Sequence, residues 1–181
     1  MQLLFIGPPG AGKGTQAGKV AARLGIPHVS TGEMFRDHVA RGTDLGKEVD
    51  AVMAAGAYVP DDITVAMLQE RIGQDDARHG FILDGFPRTV GQVESLDGLL
   101  GDAGLDKVVV LEVDEDELTE RLMARGRPDD TEETIRNRLK VYLEQTQPLI
   151  DLYERRGLNV TVDGIGEVDE VTDRILRALG R

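Results

Sequence analysis

The sequence contains no cysteine, which excludes disulfide bonds and thiolate metal sites. No segment approaches the roughly 20 apolar residues that a membrane-spanning helix needs. No basic, apolar leader precedes the first predicted strand, and we therefore expect a cytoplasmic protein. Basic residues are in deficit, because 21 Lys and Arg face 33 Asp and Glu and give a net charge of −12. This balance argues against broad nucleic-acid binding, which needs a basic face.

No internal repeat, low-complexity tract or linker interrupts the 181 residues, which suit one domain with a substantial core. Apolar runs predict strands at 2–6, 27–30, 80–85, 107–113 and 158–164. Helices are predicted at 13–24, 31–40 with Thr31 as the cap, 45–55, 61–73, 114–123, 131–155 with a disruption near Pro148, and 168–179. Alternation of strands and helices predicts an α/β fold with a parallel sheet covered on both faces.

The segment GPPGAGKGTQ at 7–16 follows the first predicted strand and opens the first helix. Its glycines let the backbone approach a ligand closely, the helix N-terminus attracts anions, and Lys13 adds a full positive charge. We therefore predict a nucleotide phosphate site. A usual P-loop has Ser or Thr after the Lys as a magnesium ligand, whereas this chain has Gly14.

This loop resembles that of the adenylate kinase family of nucleoside monophosphate kinases. Further segments resemble the family in the same order: STGEMFR at 30–36, GAYVP at 56–60, FILDGFPRTVGQ at 81–92, ERLMARGRPDDTEETIRNR at 120–138 and VDGIGEVDEV at 162–171. The resemblance implies a P-loop NTPase-type, five-stranded parallel sheet with a helical NMP-binding insertion and a short lid. It divides a single kinase domain, 1–181, into a core (1–29, 60–123 and 132–181), an NMP-binding segment (30–59) and the lid (124–131).

The resemblance also implies roles for individual residues. The implied ATP-binding residues are Gly10, Ala11, Gly12, Lys13, Gly14, Thr15, Arg125 and Gly166. The implied AMP-binding residues are Thr31, Arg36, Ala57, Tyr58, Val59, Gly85, Phe86, Pro87, Arg88, Gln92, Arg127 and Arg138, with backbone contacts at 57–59. The implied catalytic residues are Lys13, Arg88, Arg121, Arg125, Arg127 and Arg138.

The chemistry of these side chains agrees with such roles. An arginine such as Arg88 can grip two phosphate oxygens at once. The amide of Gln92 can both donate to and accept from the edge of adenine.

Mg²⁺ is expected mainly on phosphate oxygens and water near Thr15 and Asp84. Family members with a long lid often bind zinc through four cysteines in the lid. This chain resembles the short-lid form and has no cysteine, so no zinc is expected. Arg136 is expected to be a surface residue paired with Glu.

The implied reaction is MgATP + AMP ⇌ 2 ADP, with no nucleic-acid or membrane partner and a monomeric enzyme. Its acceptor is an anionic phosphate oxygen, so no general base is needed, and His28, His38 and His79 are interpreted as structural or surface residues. The nearest alternative is a UMP/CMP kinase of the same fold, from which Thr31 and Gln92 would distinguish an adenylate kinase. A more distant alternative is a nucleotide-regulated switch with one nucleotide site.

Overall fold

Five short strands form one sheet in which every neighbouring pair is parallel. The computed structural model describes residues 1–126 and 131–181. The strands are β1 (Gln2–Ile6), β2 (His28–Ser30), β3 (Phe81–Asp84), β4 (Lys107–Glu112) and β5 (Asn159–Asp163), in the spatial order β2-β3-β1-β4-β5. All five were predicted from apolar runs, and the parallel five-stranded α/β fold is confirmed.

The helices of the described residues are α1 (Lys13–Leu24), α2 (Thr31–Ala40), α3 (Asp44–Ala54), α4 (Asp61–Ile72), α5 (Val90–Leu100), α6 (Glu115–Arg125), α7 (Glu132–Val141), α8 (Pro148–Arg155) and α9 (Val168–Ala178). Short 3₁₀ turns lie at Asp75–Ala77 and Gly101–Ala103. Over the described ranges, none of these helices combines the length and apolar character that crossing a membrane requires.

One expected helix cap was wrong. The prediction placed Thr31 at the cap of α2, but Ser30 is the cap, and its side chain accepts a hydrogen bond from the Glu33 backbone at 3.4 Å. Ser30 keeps the extended backbone of β2, whereas Thr31 is already helical. The Thr31 hydroxyl therefore serves another contact, described below.

The predicted disruption near Pro148 takes the form of a π-helical turn at Tyr142–Thr146, between α7 and α8. The Gln147 backbone N–H donates to the Tyr142 carbonyl at 2.9 Å, a bond that spans five residues. Pro148 has no N–H to continue the regular α-helical ladder, which is the sequence signal for a break at this point.

Alternate strand residues pack against two helical layers. Leu3 and Phe5 of β1 join a core cluster with residues of α1 and α9, whereas Leu4 and Ile6 join a second cluster with residues of α4, α5 and α8. This alternation follows from the two-residue period of a strand, and it covers both faces of the sheet. Segment 30–59 has its own small cluster of Phe35, Val49 and Val59.

The strand order fixes where a ligand can bind. The chain moves from β1 to β2 and β3 on one side, and then crosses to β4 on the other side of β1. A crevice forms at such a reversal, beyond the carboxyl ends of the strands. The phosphate loop after β1 and Asp84 at the end of β3 both lie at this edge.

Candidate active site

The phosphate loop presents the open N-terminus of α1. Gly12 precedes this helix in the left-handed conformation with φ of 86°, which favours glycine. Within the described part of the chain, no side chain caps this helix, so its first amides are available to an anion. Lys13 donates from Nζ to the carbonyls of Gly7 at 2.8 Å and Pro8 at 3.0 Å. These bonds hold the ammonium group against the loop.

Asp84 is a buried carboxylate beside this loop, with 8% of its surface exposed. Burial raises its pKa, but the hydrogen bond from His28 and the charges of Lys13, His28 and Arg88 outweigh burial and leave the pKa below its ordinary value. The carboxyl group is therefore ionised at neutral pH. Its Oδ2 atom would lie 3.4 Å from a Cβ placed on Gly14. A charged oxygen thus stands close to the position where the usual P-loop hydroxyl is missing.

These groups fit a magnesium ion carried by phosphates. Mg²⁺ prefers oxygen ligands and keeps several of its waters, so one carboxylate and a hydroxyl beside the phosphates suffice. Asp84 and Thr15 line the same cavity and supply these oxygens. The described ranges contain no cluster of three or more His, Cys, Asp or Glu arranged around a metal position.

A cavity of about 280 Å³, called the central cavity, lies between the phosphate loop, α2, residues 56–59 and the end of β3. Most of the predicted site residues line it, namely Gly10, Gly12, Lys13, Gly14, Thr15, Thr31, Arg36, Ala57, Tyr58, Val59, Asp84, Gly85, Pro87, Arg88, Gln92 and Arg138. The fold thus brings together residues from five segments of the chain, at 10–15, 31–36, 57–59, 84–92 and 138.

Three of the predicted arginines, Arg36, Arg88 and Arg138, line the central cavity. Arg88 donates from Nε to the Gly85 carbonyl at 2.7 Å, and its guanidinium carbon lies 4.9 Å from the centre of the Tyr58 ring. Gly85 has φ of 87°, and a Cβ there would meet Arg88 and Thr31 at 2.9 and 2.8 Å, so this position requires glycine. The arginines concentrate positive charge in an otherwise acidic protein.

Two polar side chains at the cavity are fixed by contacts with the protein. Thr31 donates its hydroxyl to the Gly85 carbonyl at 3.0 Å. The Gln92 amide accepts from the Arg88 backbone at 2.7 Å and donates to Asp61 at 2.6 Å. Among the described residues, these bonds use one amide N–H and one oxygen lone pair of Gln92, so each amide atom has capacity for one further contact.

A second recess, called the side cleft, opens on the other side of the phosphate loop. It is lined by Ala11, Gly12, Thr15, Gln16, Glu117, Arg121, Gly164, Gly166, Val168 and Val171. Arg121 donates to Glu117 at 2.7 Å and to the Gly164 carbonyl at 3.2 Å, so it bridges α6 and the loop after β5. Gly12 and Thr15 line both the side cleft and the central cavity. The two recesses therefore meet at the phosphate loop.

Comparison with known proteins agrees with this geometry. The sequence model of the family described as "Adenylate kinase" matches residues 5–158. The chain is 54% identical to the adenylate kinase of Nocardia farcinica over 183 residues that cover all of both chains. It is 56% identical to that of a Nocardioides species over 99% of this chain and 97% of the relative, and 54% identical to that of Thermobifida fusca over 99% and 98%. The chain belongs to the adenylate kinase family.

Three predicted adenylate kinase residues do not contribute a described side chain to either recess. Phe86 is fully buried in the core cluster with Leu4 and Leu83, so its side chain is not accessible to a ligand. The Arg125 side chain and residue Arg127 lie outside what the structure describes. Arg136 is exposed and pairs with Glu132 at 2.6 Å, as predicted.

The sequence analysis did not identify several residues that line the two recesses or contact the residues there. His28, interpreted as structural or surface, lies 3.4 Å from the Asp84 carboxylate. Thr146 and Tyr142 line the central cavity from the π-helical turn. Gln16 donates to the Val168 carbonyl at 3.0 Å and accepts from Thr172 at 2.7 Å. In the parallel register of β2 with β3, His28 pairs with Ile82, and Asp84 lies two residues further along β3 on the same face. A predicted pairing of these two strands in this register could have indicated the contact.

Proposed function

We propose that this chain catalyses the reversible transfer of a phosphoryl group from MgATP to AMP, giving two ADP. The observation that carries the proposal is the meeting of two recesses at Gly12 and Thr15 of one phosphate loop. Two nucleotides bound with their phosphates toward this loop would face each other. Family membership supports the same reaction, since the relatives named above are adenylate kinases.

We assign the donor nucleotide to the side cleft and the acceptor to the central cavity. The proposed ATP-binding groups are the phosphate loop from Gly10 to Thr15, Arg125 and Gly166. The proposed AMP-binding groups include Thr31, Arg36, Arg88, Gln92, Arg138 and the backbone of residues 57–59. The cluster of Phe35, Val49 and Val59 is separate from the two core clusters, although Ile63 and Met67 of α4 pack against it, and it supports treating 30–59 as an NMP-binding segment.

The proposed chemistry is charge neutralisation and alignment. The acceptor oxygen of AMP is already anionic, so its attack needs no proton transfer to a protein base. Lys13 and the loop amides hold the donor phosphates, while Arg36, Arg88 and Arg138 hold the acceptor. Positive groups fixed in advance stabilise the charge that spreads over the transferred oxygens. Bound magnesium would neutralise phosphate charge, and Asp84 and Thr15 would orient its water.

Water must be kept from the transferred group, because hydrolysis would waste ATP. Adenylate kinases are a standard example of lid closure over bound substrates. The short lid at 124–131, with Arg125 and Arg127, stays a prediction, since residues 127–130 and the Arg125 side chain lie outside what the structure describes. We also propose, from the family, a cytoplasmic monomer without zinc.

The acceptor base is the feature that separates this proposal from a pyrimidine monophosphate kinase. Thr31 and Gln92 lie together at the central cavity, and the free capacity of the Gln92 amide suits adenine, which presents a donor beside an acceptor. The relatives named above give no support to the pyrimidine alternative.

A panel of acceptors tests the proposal. Formation of ADP is measured under saturating MgATP with AMP, CMP or UMP as the varied substrate. We expect kcat/KM for AMP to exceed the values for CMP and UMP by at least about a hundredfold, since unpaired buried polar groups penalise the wrong base. A preference for CMP or UMP would replace the proposal with the pyrimidine kinase. Slow ATP hydrolysis unaffected by any acceptor would favour the nucleotide-regulated switch.

A further inference from the structure

The Tyr58 ring lies against the guanidinium group of Arg88, at 4.9 Å from ring centre to guanidinium carbon. Tyr58 belongs to segment 30–59, whereas Arg88 follows β3 of the core. Both residues are half-buried at the central cavity. A guanidinium over an aromatic face is attracted to it, and partial removal from water strengthens this attraction.

The Tyr58 hydroxyl reaches the same arginine by a second route. It lies 2.8 Å from the Thr146 hydroxyl, which donates to the Arg88 carbonyl at 2.9 Å. Thr146 has a single hydroxyl hydrogen, so Tyr58 must be the donor in the first of these bonds. Tyr58 thus contacts the Arg88 side chain directly and its backbone through Thr146.

Thr146 owes its position to the π-helical turn at Tyr142–Thr146. Its side chain is buried, with 5% exposed, between Tyr58 and the backbone of Arg88. Single π turns inside helices frequently mark functional sites, because they displace one side chain from the regular helical pattern. Here the turn connects the helix that carries Arg138 to the residues that hold Arg88.

We propose that Tyr58 and Thr146 are positioning residues that fix Arg88 for the acceptor phosphate, an inference that rests on the proposed function. Nε of Arg88 already donates to Gly85, so the two terminal amino groups are those that a phosphate would take. A free arginine side chain loses rotational freedom when it grips a ligand, and a side chain held in advance loses less. Tyr58 therefore favours acceptor binding without touching the reacting atoms.

A double-mutant cycle tests this inference. Tyr58→Leu removes the ring and the hydroxyl, and we expect kcat/KM for AMP to fall about tenfold, mainly through a higher KM for AMP. The KM for MgATP should stay within about twofold of wild type. In an Arg88→Ala background, Tyr58→Leu should lower kcat/KM for AMP by less than about twofold, because Tyr58 acts through Arg88. Equal losses in both backgrounds, or an equal rise in both KM values, would overturn the inference.

Smaller substitutions separate the ring from the hydroxyl. Tyr58→Phe keeps the ring over Arg88, so it should lower kcat/KM for AMP clearly less than Tyr58→Leu does. Equal losses would overturn the stacking argument, and an unchanged KM for AMP in Thr146→Val would remove Thr146 from the inference. Tyr153→Phe is the control, since its buried hydroxyl has no hydrogen-bond partner among the described residues and lies in the core away from the cavity.

The same measurements distinguish the inference from the proposed function. Failure of the wild-type chain to form ADP from MgATP and AMP would overturn the proposed function. An active wild type with an unaltered, folded Tyr58→Leu variant would overturn the positioning role alone. Circular dichroism and thermal melting establish that each variant is folded before its kinetics are compared.

Discussion

Arg88 shows how far residue chemistry could be inferred from the sequence. Its place after the Gly-Phe-Pro turn predicted a phosphate-binding arginine, and it lines the cavity beside Arg36 and Arg138. The residues that hold Arg88 in place could not be predicted in the same way. Tyr58 and Thr146 lie 30 and 58 residues from Arg88, and no local pattern indicates that such distant side chains meet. Local motifs identify residues with charge, whereas the tertiary fold decides which neighbours orient them.

Replacing Arg88 with alanine should lower turnover with AMP at least tenfold, and about 10²- to 10³-fold if Arg88 acts fully as a transition-state group. The reason is loss of positive charge at the acceptor phosphate, while the core clusters stay intact. Steady-state kinetics at saturating MgATP and AMP measure the effect. Arg136→Ala is the matched control, because Arg136 is exposed and pairs with Glu132 on the same helix. Near-wild-type turnover of Arg88→Ala would exclude Arg88 from the mechanism.

At the scale of elements, the strands were predicted better than the connections between them. Apolar runs located all five strands. For the central strands β1, β3 and β4 this follows because a strand buried on both faces has few polar residues. The cap of α2 was misplaced by one residue, since Ser30 and Thr31 are both good caps and the pairing of β2 with β3 chose between them. The sequence predicted a break near Pro148 but not its π-helical form, which depends on packing at the cavity.

The loop after β5 is another element held by distant contacts. Arg174 of α9 donates to the carbonyls of Asp163 at 3.0 Å and Ile165 at 2.6 Å. Arg121 holds the intervening Gly164 carbonyl from the opposite side. Arg174 also lies near Gly166, where a Cβ would be 3.2 Å from its guanidinium. This loop lines the proposed donor site without any large side chain of its own at position 166.

Arg174→Met should therefore raise the KM for MgATP about fivefold and leave the KM for AMP unchanged. Two hydrogen bonds from a charged, partly exposed group are worth on the order of 1 kcal/mol here, which corresponds to this factor. Initial rates with each substrate varied in turn measure both constants. Arg177→Met serves as the control, since Arg177 is exposed and donates within its own helix. A selective rise in the KM for AMP would contradict the assignment of this loop to the donor.

At the scale of the whole molecule, the distribution of charge bears on which ligands bind, and the two recesses bear on how many nucleotides bind. The chain carries a net charge of −12, yet Lys13 and three arginines converge on one cavity. An acidic surface with a local cationic site favours compact polyphosphates over extended polyanions. Two recesses that share Gly12 and Thr15 support the proposal that two nucleotides bind end to end, as a kinase requires and a one-site nucleotide switch does not.

A bisubstrate mimic, two adenosines joined by a polyphosphate chain, tests this arrangement directly. Isothermal titration should give one mimic per chain but two ADP per chain in the presence of Mg²⁺, and bound mimic should block ADP at both sites. At about 1,000 times its Kd, the mimic should raise the free energy of unfolding by about 4 kcal/mol. For a chain of this size, that corresponds to a rise in Tm of roughly 8–16 °C. If one ADP binds per chain, and the mimic binds no more tightly than ADP, the recesses do not act as paired nucleotide sites. Phosphoryl transfer between two nucleotides would then have no structural basis in this chain.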